Sequence, residues 1–256
     1  MGVSWLKKGN DSAQIAQKEA EAAKLRQEVG YGMGRFWLVK GEDARVTFVD
    51  GDLDANGFLN PPRFFEHNVF VQGQQPKFFV CPKESFPHLG ESCPICAGGD
   101  HPTLVSIFTI IDHREFKGKK DPTKVYKDTP RLFVAKSGTM EMLTKIAIKR
   151  GGLAGCTFDV SRSNDSKSAS VGNMFDFTEK NDIADLVKKY MQEFTDPKTN
   201  KKEMRSIFVP ADYEKEIKFF TGEELAKLGF GSPQVSGYGS QGQQNQQAMT
   251  DYSADL

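Results

Sequence analysis

The chain has 256 residues, with 34 Lys plus Arg against 34 Asp plus Glu, 38% hydrophobic residues and twenty Phe. That length allows one sizeable core with appendages, and no apolar run approaches the roughly 18 residues that a membrane-spanning helix needs, which excludes that class. Residues 1–9 carry no apolar leader segment, and Leu6 stands where a myristoylation signal wants Ser or Thr, so a soluble cytoplasmic protein is expected.

Residues 11–29, rich in Ala, Glu, Gln and Lys and closed by Gly30, predict a peripheral helix within an N-terminal arm over residues 1–33. From Arg35 the pattern changes to short aromatic and β-branched runs bounded by turn residues, at 36–40, 45–50, 67–71 and 77–80. The longest strand is expected over 103–116, followed by a polar loop at 118–130 and a further strand at 130–136. Met142, Leu143, Ile146 and Ala147 have helical spacing within 139–150, with Gly151 and Gly152 as the stop. A strand pair is expected at 157–163 and 171–179, then an amphipathic helix over 182–194 on Ile183, Leu186, Val187, Tyr190 and Met191. The last 26 residues, 231–256, hold four Gly, six Gln and no Lys or Arg, and predict a disordered tail. Short strands with helices between and after them predict a mainly β, α+β fold, for which a small OB-like barrel over residues 34–230 is the natural architecture.

Cys93-Pro94-Ile95-Cys96 is a Cys-x-x-Cys with Cys81 upstream. Two thiolates from one tight turn can grip a single tetrahedral ion such as zinc, and a third and fourth ligand are then required. Cys81 repeats the Cys-Pro pattern, and His67, His88 and His101 are the candidates for the fourth place. A thioredoxin-type redox pair would want a βαβ context. A zinc deaminase would want His-x-Glu upstream of Pro-Cys-x-x-Cys, whereas the only His-x-Glu, His113-Arg114-Glu115, lies downstream. A structural metal is therefore expected. It has a clear task, because residues 82–102 hold little strand or helix signal and zinc can supply about 10–16 kcal/mol to such a module. Cys156 opens a strand and is expected to be a buried core thiol.

Zero net charge hides an uneven distribution. From His113 to Lys136 eight Lys and Arg face three acidic residues. Rings repeatedly adjoin cations: Arg35 and Trp37, Arg114 and Phe116, Lys124 and Tyr126, Arg131 and Phe133. Alternate strand residues share a face, so such pairs can line a cleft whose cations follow phosphates and whose rings stack on unpaired bases, each stack worth roughly 1–3 kcal/mol. The expected phosphate contacts are Arg35, Arg114, Lys117, Lys119, Lys120, Lys124, Lys127 and Arg131; the expected stacking rings are Trp37, Phe116, Tyr126 and Phe133. For single rings such as Phe108, Phe158 and Phe219, plain core packing is the simpler expectation. No nucleophile–base pair or paired-carboxylate motif stands out, so nothing here calls for an enzyme. The alternative is a zinc-ribbon protein–protein adaptor whose aromatics are core and whose lysines only solvate the surface.

These residues resemble the single-stranded DNA-binding, helix-destabilising replication proteins of tailed phages, of the T-even type. The resemblance covers about residues 35–180, with its sharpest motif in Glu66-His67-Asn68, Val80-Cys81-Pro82 and Ser92-Cys93-Pro94-Ile95-Cys96. It implies an OB-fold with an inserted zinc subdomain at about 66–102 and a structural Zn²⁺ on His67, Cys81, Cys93 and Cys96. It also implies sequence-independent coating of single-stranded DNA in phage replication, recombination and repair, in the cytoplasm of an infected bacterium. Replication or recombination proteins would be recruited through the C-terminal tail. That family's tail is usually strongly acidic, whereas residues 231–256 offer only Asp251 and Asp255; its basic N-terminal arm is represented by Lys7 and Lys8.

Overall fold

The computed structural model describes Gln14, Gln17, Ala20, Glu21 and residues 33–69, 77–117, 123–165, 168–195 and 200–231. Its strands are β1 (Asp43–Phe48), β2 (Arg63–Val69), β3 (Lys77–Val80), β4 (Thr103–Asp112), β5 (Phe116–Lys117), β6 (Val125–Tyr126), β7 (Thr129–Lys136), β8 (Cys156–Ser161), β9 (Met174–Lys180), β10 (Met191–Thr195) and β11 (Lys202–Ser206). The helices are α1 (Pro82–Ser85), α2 (Pro94–Ala97), α3 (Ser137–Arg150), α4 (Ile183–Lys189), α5 (Tyr213–Glu216) and α6 (Gly222–Lys227), with one 3₁₀ turn at Pro87–Leu89. The fold is mainly β with a few helices, as expected, and its strand pairs are antiparallel. None of the described helices is long and apolar enough to cross a membrane. Of the expected N-terminal helix, the four described residues are helical and exposed; Lys7, Lys8 and the tail beyond Gly231 lie outside the described residues.

The chain divides into two compact units. The larger holds the described parts of residues 33–63 and 104–212. Its sheet runs β7-β4-β1-β8-β9, and β7 and β9 do not pair, so it is open where a closed barrel was expected. Side chains bridge the two edges instead: Phe133 on β7 meets Phe175 on β9 edge-on at 6.1 Å. Residues 34–36 also run along β7, with Leu132 N donating to Gly34 O (3.0 Å) and Phe36 N donating to Leu132 O (2.8 Å), and Leu38 N then donates to Ser170 O ahead of β9 (2.7 Å). The core lies inside this curved sheet. Phe48 is at its centre and meets Phe108, Phe133 and Phe158 at 5.3–5.7 Å in edge-on and tilted geometries, which suit the aromatic quadrupole. Helix α3 closes one face through Met140, Leu143 and Ala147, buried at helical spacing.

The strand pair expected after α3 forms as β8 and β9; beyond it the pattern departs from expectation. Helix α4 is capped by Asp182, whose carboxylate accepts from Ala184 N at 2.8 Å, and it buries Leu186. It stops at Lys189, however, and residues 191–195 pair with β11 as a hairpin. Tyr190 is buried but Met191 and Ile183 are both 41% exposed; Gln192-Glu193-Phe194-Thr195 satisfies its backbone groups on a strand partner that helical periodicity does not reveal.

The smaller unit holds the described parts of residues 1–32, 64–103 and 213–241. Its β2–β3 hairpin sets His67 opposite Phe79, and its own apolar cluster joins Val69, Phe79, Ile95, Phe220, Leu225 and Phe230.

Candidate metal centre and nucleic-acid interface

The metal-ligating residues gather within the smaller unit. His67 comes from β2, Cys81 follows β3, and Cys93 and Cys96 flank the first turn of α2. Cys81 and Cys93 are the N-cap residues of α1 and α2, each with Pro at the first helical position. Pro costs nothing there, because its missing N–H would be unpaired anyway. The two Cys-Pro steps thus build one-turn helices in a loop that sequence periodicity leaves blank. The backbone N–H groups of Cys96 and Ile95 bond the Cys93 sulfur, which favours its thiolate.

The ligand atoms of His67, Cys81, Cys93 and Cys96 all lie within 4.8 Å of one another, and the set could hold a metal ion. Cys93 Sγ is 3.3 Å from His67 Nε2, Cys96 Sγ is 3.5 Å from the same nitrogen, and Cys81 Sγ is 3.7 Å from Cys96 Sγ. All four cysteines are free thiols, with no disulfide. His67 Nδ1 faces Asp100 Oδ2 at 2.6 Å, which leaves Nε2 directed at the sulfurs. Burial, followed by the charge of neighbouring thiolates, pushes the Cys96 thiol well above its usual range. Burial likewise raises Cys93, and a cation among the sulfurs would offset the cost of charging them. His88 and His101 are exposed and outside the quartet. Cys156 is fully buried in the larger unit, as expected for a core thiol.

One contributor escaped the sequence reading. Helix α6 packs Leu225 into the cluster beside Ile95, and a Cβ on Gly222 would lie 2.2 Å from Ser92 O, the residue before Cys93. The signal was present as Thr221-x-x-Glu224, a capping box in which Glu224 N donates to Thr221 Oγ1 and Thr221 N donates to Glu224 Oε2.

The expected nucleic-acid contacts fall in the larger unit. Strands β5 and β6 form a short ribbon that sets Phe116 directly opposite Tyr126, so the two rings share a face. The guanidinium of Arg131 lies 5.0 Å from the Phe116 ring centre and that of Arg114 lies 5.2 Å from it. Burial lowers the pKa of Arg131; Asp112 opposes this and Arg114 adds to it. Among the described residues no carboxylate is hydrogen-bonded to Arg131. A Cβ on Gly34 would lie 2.1 Å from Arg131 Nη1, so glycine makes room for the guanidinium. Phe36 and Leu38 are buried while Arg35 and Trp37 are half-exposed, the alternation expected of a strand-like segment. Lys117, Lys124, Tyr126 and Lys127 are exposed, and Lys127 stands 3.8 Å from Glu115 across the ribbon. Lys119 and Lys120 lie outside the described residues.

Two nominated residues do other work. Phe133 is fully buried and belongs to the core; it stacks on Phe36 at 5.8 Å and is not offered to a base. Arg114 is tied up internally. It donates to Asp112 Oδ2 (2.7 Å), Glu42 Oε1 (2.8 Å) and Trp37 O (3.2 Å), because Asp112 is fully buried and needs a counter-charge. Phe108 and Phe158 are core, as expected. Phe219 is instead 40% exposed, in edge contact with Phe86 at 5.1 Å.

Compared with family models, curated proteins and solved structures, the chain matches none.

Proposed function

We propose that the chain binds single-stranded DNA without sequence preference and performs no covalent chemistry. The observation that carries this reading is the Phe116–Tyr126 face of the ribbon, with Arg131 stacked on Phe116 and lacking a hydrogen-bonded carboxylate among the described residues. A half-buried guanidinium is stabilised by a phosphate oxygen, and two flat rings beside it accept bases of any identity. Duplex DNA keeps its base faces stacked inside, so this surface selects unpaired strands and lowers the melting temperature of a duplex by mass action.

The strand order β7-β4-β1-β8-β9, with α3 between β7 and β8, supports an OB-type reading, in which the ribbon is the loop between the second and third strands. A structural zinc on His67, Cys81, Cys93 and Cys96 is supported by the edge lengths. A tetrahedron with Zn–S near 2.3 Å and Zn–N near 2.0–2.1 Å has edges of about 3.8 Å between sulfurs and about 3.5 Å from sulfur to nitrogen, against 3.7, 3.3 and 3.5 Å here. The metal's role is to hold the loop after β3, so that the smaller unit keeps its shape. Coating of single strands in phage replication, recombination and repair, with the tail as a hook for replication proteins, completes the reading.

The test is a fluorescence titration with oligothymidylate at two salt concentrations. Affinity should fall as salt rises, with a log–log slope of about −0.7 per phosphate contacted. A protein–protein adaptor would give no quenching at either concentration.

A further inference from the structure

The ribbon springs from a root that is bonded more closely than its short ladder requires. His113 stands three residues before β5 and Asp128 two after β6, and the two meet: His113 Nδ1 lies 2.5 Å from Asp128 Oδ1. The other ring nitrogen, Nε2, lies 2.8 Å from Thr47 Oγ1 on β1, and Thr47 Oγ1 lies 2.8 Å from Thr157 Oγ1 on β8. In the tautomer whose Nδ1 donates to the carboxylate, Nε2 accepts from Thr47. The chain of hydrogen bonds thus runs from the end of the ribbon into the middle of the sheet. Asp128 has φ +53°, one of only two non-glycine residues in the left-handed region among those described. Such a conformation persists only where its surroundings over-determine it. Thr47 is 2% exposed and its hydroxyl is bonded to that of Thr157. The carboxylate–imidazole–hydroxyl series is a mechanical link.

We infer that His113 and Asp128 are positioning residues that clasp the root of the β5–β6 ribbon to the sheet and so fix the Phe116–Tyr126 face for an incoming strand. The inference rests on the binding function proposed above. Neither residue touches the nucleic acid. Each acts by restricting a two-stranded ribbon whose residue pairs among the described residues are Phe116↔Tyr126 and Lys117↔Val125, since two strands alone are marginally stable at best. A clasped ribbon meets the strand with its rings already aligned, and the ordering entropy is not lost at the moment of binding.

The experiment compares wild type, Asp128→Gly, Asp128→Asn and His113→Ala in the full chain, by oligothymidylate titration and by amide hydrogen exchange. Glycine keeps the left-handed backbone without strain and deletes the carboxylate, whereas Asn keeps both the conformation and an acceptor. Asp128→Gly and His113→Ala should bind roughly tenfold more weakly, as if one or two stacking contacts were lost. Their salt slope should match wild type, as should the thermal midpoint of Asp128→Gly, and the amides of Phe116, Lys117, Val125 and Tyr126 should exchange faster. Asp128→Asn should stay within about twofold of wild type. Wild-type exchange at those four amides in Asp128→Gly would overturn the clasp, as would unchanged affinity while wild type binds. If wild type itself ignores the oligonucleotide, the binding function is what fails, and the exchange rates still decide whether the clasp exists. Should His113→Ala fail to fold, Asp128→Gly carries the test, since its side chain is 30% exposed.

Discussion

Asp100 holds the imidazole of His67 from behind: its Oδ2 is 2.6 Å from Nδ1, and the ring's other nitrogen is left facing two cysteine sulfurs. The carboxylate fixes the tautomer and orientation that a ligand needs, and such partners typically govern metal affinity by 10–100-fold. Asp100→Ala should therefore release zinc to a competing chelator at about 10–100-fold lower chelator strength than wild type, with Asp100→Asn between the two. Equal retention by all three proteins would show that the contact orients nothing.

Removing the metal should act on the smaller unit first. On the proposed metal site, chelation would leave three sulfurs, two of them buried, without a counter-ion and free the loop that carries α1 and α2. Exchange at Ile95, Leu225 and Phe230 should then accelerate while the strands around Phe48 keep their protection. Identical protection with and without chelator would remove the structural role assigned to the ion.

Phe133 and Tyr126 separate the core from the proposed interface. Phe133→Ala empties the centre of the Phe cluster and should destabilise the fold by about 3–5 kcal/mol in denaturant unfolding. Tyr126→Ala, on an exposed strand of the ribbon, should leave the unfolding midpoint unchanged and weaken oligonucleotide binding by about 1–3 kcal/mol. Stability losses of similar size in both variants would contradict their assignment to different roles.

Tyr190 supplies a pH signature. Burial, and secondarily the charges of Asp128 and Glu179, push its phenol up to about 12, and it stacks on Phe208 at 6.0 Å. With the folded value above the unfolded one, the native state binds more protons through the interval between them. The contribution is complete below the unfolded value near 10 and is lost as pH rises through the folded one. An ultraviolet titration should show one phenol ionising near 12, absent in Tyr190→Phe. If all phenols of the native protein ionise together near 10, the buried position is wrong.

How much of this could be read from sequence follows from which interactions are local. Cys81, Cys93 and Cys96 sit in Cys-Pro and Cys-x-x-Cys steps whose geometry is set within a few residues, and the strands at 77–80 and 130–136 are bounded by Pro or turn residues. His67 was separable from His88 and His101 only by resemblance, because the hairpin register that buries it is not written near it. Arg131 and Phe133 show the limit of period-2 reasoning. They share a strand face by alternation, but Phe133 lies opposite Phe108 within the core while Arg131 occupies room left by Gly34. Arg114 read as a free cation although Asp112 stands two residues before it, because the burial of Asp112 and the approach of Glu42 arise only in the folded chain. The β10–β11 hairpin was hidden because residues 182–194 keep helical spacing past the point where Tyr190 ends the helix. The His113–Asp128 clasp spans fifteen residues and left no local pattern at all.

The central claim is met most directly by one competition measurement. Zinc-loaded protein is titrated with a fluorescent oligothymidylate and then challenged with either unlabelled single strand or the matching duplex at the same salt. The account predicts displacement by the single strand at concentrations where the duplex displaces nothing. Equal displacement by both, or no binding of the labelled strand in the first place, would contradict it.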